Sequence, residues 1–321
     1  MASTTTSATE TCATSWSTGA RHLRYVLGVD AGGTKTVAFL ADESGQILGE
    51  ARAGGANLLT HGELEVEKVL HDLIERAAGE RALSAICLGM AGVDRPQDEA
   101  VLRGILRRMG HRAGVRVVND AVIALVAGVP GRVGLLVLAG TGSIAYGADG
   151  QGRTARSGGL GWLLADEGSA QWLGREALRA AVRAADGRGP ETALLPLVFE
   201  AMKVESLREL VPTVYERSVR PSELGRLAWT VEAAVKQGDA VATGILEAAA
   251  SELALSARAV YRHLIFAPGP VPVVLAGGAF RACPGLVPRV ATGLEIPGAE
   301  PTQLTAEPAA GAVALARDLL A

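Results

Sequence analysis

The chain has 321 residues, 49% of them hydrophobic and 20% charged, with a formal net charge of −3. That length suits two domains of roughly 100–200 residues each, and the apolar share allows both a packed core. A near-neutral balance with a pI near 6.0 leaves no basic footprint for nucleic acid or an anionic membrane surface, and no apolar run nears the roughly 20 residues that cross a bilayer.

Residues 1–24 are rich in Ser, Thr and Ala, with no apolar periodicity, no early basic region and no apolar stretch. They are expected to be a disordered lead-in or the product of an incorrect start, and not a signal peptide. Three cysteines (Cys12, Cys87 and Cys283) lie far apart without C-x-x-C spacing, which argues against a disulfide framework or a zinc site and favours a reducing cytoplasm. The five histidines share no ligand spacing either.

From Tyr25 the pattern sharpens. Tyr25–Asp30, Lys35–Asp42 and Ile47–Ala53 read as three strands, followed by a helix over Glu63–Ala78. Ser84–Leu88 is a strand running into the loop Gly89-Met90-Ala91-Gly92. Pro96 opens a helix to about Met109, and Val115–Val118 is a strand that delivers Asn119 and Asp120 at its end. About 110 residues after the first, a second strand–turn–strand returns: Gly134–Leu138, the turn Ala139–Ser143, and Ile144–Gly147. Such an echo suggests a duplicated α/β fold. The middle third is helical over Glu191–Met202, Leu207–Glu216, Ser222–Gln237 and Asp239–Leu264, with Pro212 threatening the second of these and Asp239 placed as an N-cap. Trp172 and Trp229 read as core residues. Val271–Leu275 is the last clear strand, and Ala309–Leu320 a closing helix.

The most specific chemical signal is Asp30-x-Gly-Gly-Thr-Lys. Lacking a Cβ, Gly32 and Gly33 let backbone amides approach phosphate oxygens. Thr34 and Lys35 add a hydroxyl and a positive charge. Asp30, at a strand end, can hold Mg²⁺ through water, since magnesium takes oxygen ligands and keeps its hydration. A plain hairpin accounts for the glycines but not for a strand-end Asp followed by Thr-Lys. Gly140, Thr141 and Gly142 form a second candidate cradle, credible as the other half of a clamp. Gly277 and Gly278 leave room for a flat nucleoside against the backbone, although a glycine turn opening a helix is the plainer alternative.

Asp120 is the candidate general base, accepting a hydroxyl proton as that oxygen attacks phosphorus. Its competing role is to cap the helix Ala121–Ala127, and Asn119 shares that ambiguity. The stretch Gly158–Ser169, which includes Gly159 and the piece Asp166-Glu167-Gly168-Ser169, is costly for a connector. Its acids are either favoured by a helix dipole or bonded to sugar hydroxyls.

Together these residues resemble the eukaryotic-type N-acetylglucosamine kinases and their bacterial relatives, the BadF/BadG-type ATPase group, from about Tyr25 to Ala316. The resemblance rests on Gly28–Thr36, Gly140–Ser143, Gly158–Ser169 and the segment Gln237-Gly238-Asp239-Ala240. It implies a two-lobed actin-like (ribonuclease H-like) α/β fold with ATP and Mg²⁺ in a central cleft. The first lobe is expected over 25–130 plus 305–321, and the second over 131–304. On this likeness Asp30, Gly32, Gly33, Thr34 and Lys35 form the first phosphate motif, Gly140, Thr141 and Gly142 the second, and Gly277 with Gly278 the adenosine motif. Asp120 falls on the catalytic base. Asn57, Ala91, Gly92, Asn119, Gly159 and Asp166 fall on or beside the sugar site. The implied activity is ATP-dependent phosphorylation of an amino sugar, of the N-acetylglucosamine or glucosamine class, at the C6 hydroxyl, by a cytoplasmic enzyme that is expected to dimerise. The chain departs from the animal enzymes at Leu58-Leu59, where they carry an aromatic residue, and at Ser157, where they carry a cysteine near the acetamido group. Glucosamine, N-acetylmuramic acid or another hexose therefore stay open as acceptors. Relatives that activate radical dehydratases share an iron–sulfur cluster between subunits, which demands converging cysteines that this spacing does not offer. A regulator would need a helix-turn-helix, which 24 Ser/Thr-rich residues cannot supply.

Overall fold

The computed structural model describes residues 23–216 and 220–321. Apart from Leu23 and Arg24, the expected lead-in lies outside the described residues, and Cys12 with it.

Five strands form the first sheet: β1 Tyr25–Ala31, β2 Lys35–Asp42, β3 Ile47–Gly54, β4 Leu83–Met90 and β5 Gly114–Asn119, in the order β3-β2-β1-β4-β5. The central β1 is buried along most of its length, as a strand covered on both faces must be, and so reads as an unbroken apolar run. A second sheet holds β6 Gly134–Ala139, β7 Ser143–Ala148, β8 Thr154–Gly158, β9 Val271–Ala276 and β10 Ala299–Gln303, in the order β10-β9-β6-β7-β8. Each sheet has an antiparallel meander followed by two parallel strands. The second sheet thus repeats the first strand for strand, which realises the expected duplicated α/β fold.

β8 and β10 escape the sequence reading. Thr154-Ala155-Arg156-Ser157-Gly158 and Ala299-Glu300-Pro301-Thr302-Gln303 are edge strands in which no residue is fully buried, so hydropathy gives them no clear period. The short helices Leu58–His61, Gly278–Ala282 and Leu286–Gly293 are missed as well.

The helices after each parallel pair, Asp120–Gly128 and Pro308–Arg317, pack on one another between the sheets. Ile123 joins Ala312, Val313 and Ala316 in a core with Val26 and Cys87 of the first sheet. Ala121, Ala124 and Leu125 face Leu136, Ile144 and Val274 of the second. The backbones approach closely. A Cβ added at Gly28 would lie 2.3 Å from Val313 N, and one at Gly311 2.0 Å from Ile123 O.

In the helical middle third, Leu207–Tyr215 runs through Pro212, although that proline cannot donate to the carbonyl of Arg208. The single helix expected over Ser222–Gln237 is instead Pro221–Leu224, a 3₁₀ turn Gly225–Leu227, and Ala228–Lys236. Leu224 presses its carbonyl on the helix Ala170–Ala185, where a Cβ at Gly174 would sit 1.9 Å from that oxygen. Asp239 does cap Ala240–Tyr261, accepting from Ala242 N at 2.7 Å. That helix is long and apolar enough by composition to cross a membrane, yet its face of Leu246, Ala249, Leu253 and Val260 belongs to the core of the second sheet. Trp172 packs partly buried against that core, whereas Trp229 is 41% exposed and not the core residue expected.

Candidate active site

The first glycine turn, expected to bind phosphate, is the β1–β2 hairpin. Gly32 N–H closes it on Lys35 O at 2.9 Å, and Ala56 N–H reaches Gly32 O at 3.1 Å. Gly55 lies so close that a Cβ there would be 2.3 Å from Gly33 O. The loop bearing Asn57 is therefore fastened to the phosphate turn, with Asn57 Oδ1 accepting Thr60 N–H at 3.3 Å. Lys35 Nζ is held by Glu307 at 3.0 Å, and the other oxygen of Glu307 takes Arg52 at 3.0 Å.

The second turn, between β6 and β7, meets the first: the hydroxyls of Thr34 and Thr141 are 2.7 Å apart. Its shape is set from behind by the Asp-Glu-Gly-Ser segment. Asp166 Oδ1 accepts Ser143 N–H at 3.0 Å, Ser143 Oγ–H donates to Glu167 O at 2.7 Å, and Ala170 N–H donates to Gly140 O at 2.9 Å. Asp166 is buried and left-handed, with φ 72°. Gly142 is obligatory, since a Cβ there would lie 2.7 Å from the Asp166 carboxylate. Ser169 caps the following helix through Trp172 N–H. The acid expected among the sugar ligands thus spends one carboxylate oxygen on the phosphate turn. Gly277, with φ 113°, completes the cluster, for a Cβ on it would sit 2.2 Å from Ala139 O.

The strand ends carry the acids. Ala91 N–H bonds Ala31 O at 2.9 Å, which holds the Ala91-Gly92 loop beside β1. Asn119, not Asp120, is the cap of the helix Asp120–Gly128, its Oδ1 accepting Ala121 N–H at 3.0 Å. Asp120 is the first residue of that helix. Burial pushes its carboxyl up to about 7, and the charges of Asp30 and Asp94 add to this against bonds from the helix N-terminus. Burial likewise pushes Asp30 up to about 6, with Lys35 opposing and Glu307 adding. Two desolvated carboxylates, with Asp30 raising Asp120, are a pattern of functional sites. They also suit a cation. Among the described residues no three His, Cys, Asp or Glu side chains converge on a metal position.

Three residues absent from the sequence reading enter here. Glu307 anchors Lys35. Asp94 Oδ1 receives Asn119 Nδ2–H at 3.2 Å and is in close contact with Arg156 Nη1 on β8. None had a local signal, because each meets partners from distant elements.

The chain matches known proteins along nearly its whole length. The model of the BadF/BadG/BcrA/BcrD ATPase family matches residues 27–316. An N-acetylmuramic acid/N-acetylglucosamine kinase of Clostridium acetobutylicum is 38% identical over 261 residues, 80% of this chain and 85% of that one. An N-acetyl-D-glucosamine kinase of Dictyostelium discoideum is 29% identical over 308 residues, 90% and 97% of the two chains. A solved structure of a provisionally assigned N-acetylglucosamine kinase from Chromobacterium violaceum superposes with a TM-score of 0.73 at 26% identity, covering 91% of this chain and 99% of its own. With the family model matching nearly the whole chain and the fold shared with a solved relative, the chain belongs to the BadF/BadG/BcrA/BcrD ATPase family.

Proposed function

We propose that the protein is an ATP-dependent hexosamine kinase that transfers the γ-phosphoryl group of Mg·ATP to the C6 hydroxyl of an amino sugar. The observation that carries this reading is the Thr34–Thr141 contact, which joins two phosphate turns over strand ends bearing Asp30 and Asp120. A triphosphate would lie between Gly32–Lys35 and Gly140–Gly142, with its nucleoside against Gly277 and Gly278. Asp30 would hold Mg²⁺ through water; when bound, the ion offsets phosphate charge. Asp120 takes the proton of the acceptor hydroxyl as its oxygen bonds to phosphorus and ADP leaves. Asn57, Ala91, Gly92, Asn119, Gly159 and Asp166 would surround the sugar. The two lobes would divide at 25–130 plus 305–321 and 131–304, and the enzyme would work in the cytoplasm as a homodimer.

The names of the relatives support an amino-sugar acceptor, and N-acetylmuramic acid belongs beside N-acetylglucosamine as a candidate. The rival activator of a radical dehydratase needs thiolates that converge at a surface. Cys87 and Cys283 are instead fully buried in separate cores, and burial pushes both thiols up to about 12. The test is ADP release from Mg·ATP with glucose, glucosamine, N-acetylglucosamine and N-acetylmuramic acid. At least one amino sugar should stimulate it, and Asp120→Asn should cut that rate by roughly 10²–10⁴-fold. No stimulation by any of the four would sink the reading.

A further inference from the structure

The loop after β4 has no assigned task beyond lining the sugar site, yet it is built to hold one side chain still. Ala91 N–H is fixed on Ala31 O, and Arg95 N–H on Asp98 Oδ2 at 3.2 Å. Asp94 stands between these anchors. Its Oδ1 alone receives both Asn119 Nδ2–H and the Arg156 guanidinium. Asn119 is thereby held at both ends of its amide, one on Asp94 and one on the helix that Asp120 begins. Arg156 sits on β8 opposite Tyr146, three residues before Gly159, whose N–H bonds Ser143 O at 2.9 Å beneath the second phosphate turn. Polar contacts therefore link Arg156, three residues before the backbone beneath the second turn, through Asp94 and Asn119 to the helix that Asp120 begins.

We infer that Asp94 is a positioning residue for the transfer step, and that its pair with Arg156 fastens the second sheet to the segment bearing the general base. This rests on the assignment of Asp120 as that base. The Arg156 and Asp94 side chains are 40% and 25% exposed, and a pair so open to solvent adds little to stability. What it adds is orientation, because misplacing a catalytic group by about 1 Å costs on the order of a hundredfold in rate. The negative charge of Asp94 also favours the protonated form of Asp120, which suits a group that must accept a proton.

The experiment is a double-mutant cycle on the full-length enzyme, with Mg·ATP and whichever sugar the wild type turns over fastest. Asp94→Asn and Arg156→Met should each lower kcat about tenfold while KM for ATP stays within about twofold. The double variant should be no slower than the slower single one, since both remove one contact. Arg156→Lys, which keeps the charge, should recover most of the loss. Single variants with wild-type kcat, or losses that multiply to about a hundredfold in the double, overturn the proposal. So does a rise in KM for ATP that matches the fall in kcat. If Asp94→Asn does not fold, the exposed Arg156 variants carry the test by the same kcat and KM criteria. Asp120→Asn separates the two levels: an inactive Asp120→Asn beside fully active Asp94 and Arg156 variants sinks the pairing alone, whereas an active Asp120→Asn sinks the base assignment and the pairing with it.

Discussion

Asp120 combines a strand-end position, a helix N-terminus and deep desolvation, and those forces oppose one another. Helix amides favour the carboxylate, but burial and the neighbouring acids win and raise the carboxyl to about 7 from an ordinary 3.8. A group raised on folding stabilises the fold fully below its unfolded value, and that contribution is lost as pH rises through the folded one. An Asn at 120 resembles the neutral form and escapes the loss. In metal-free protein, Asp120→Asn should therefore gain about 2–3 kcal/mol on the wild type between pH 5 and pH 8, taking roughly 1.4 kcal/mol per unit. Urea unfolding at the two pH values checks it, and an unchanged difference would count against a desolvated Asp120. Gly142 is a second point where one residue decides. Its neighbour Asp166 is pinned by Ser143 N–H and by its own left-handed backbone, so it cannot yield to a new methyl group. Gly142→Ala should raise KM for ATP tenfold or more, as measured by initial rates against ATP concentration. The sequence made the glycine legible as a turn residue. It could not show that a buried carboxylate lies behind it.

Among elements, the helix Asp120–Gly128, which opens with Asp120 at the end of β5, packs on Pro308–Arg317. Their contact depends on small residues. Gly311→Ala would place a Cβ 2.0 Å from Ile123 O and 2.8 Å from Ala127 N, both backbone atoms, and should cost about 1–3 kcal/mol of stability in urea unfolding. Gly104 is the internal control. It lies within Pro96–Arg108, where a Cβ would meet nothing nearer than Arg108 Nη1 at 3.6 Å. Gly104→Ala should stabilise by about 0.5–1 kcal/mol. Both glycines look alike in sequence, each inside a helical pattern, and only the packing gives them opposite signs. The edge strands teach the same lesson. β1 is legible because burial on both faces demands apolar residues, whereas β8, with no buried residue, carries no such pattern to mark Arg156.

For the whole molecule, the end of the chain closes its beginning. The last helix packs Ala312, Val313 and Ala316 on Val26 and Cys87, and Glu307 just before it holds Lys35 of the first phosphate turn. Ending the chain after Glu307 should abolish the cooperative thermal transition, which circular dichroism would report; a sharp melt in the truncated chain would show that the first sheet needs no such cover. The same closure explains the division of labour between sequence and fold. The two glycine turns, the repeated strand–turn–strand and the acid at the end of β5 are legible in the sequence, because each is a demand on neighbouring residues: glycine where the chain turns tightly, apolar runs where strands are covered. Packing alone sets the meeting of Thr34 with Thr141, of Asp166 with Gly142, and of Asp94 with Asn119 and Arg156. Those contacts are set by how two sheets and their helices pack, and side-chain periodicity carries no record of partners in another element.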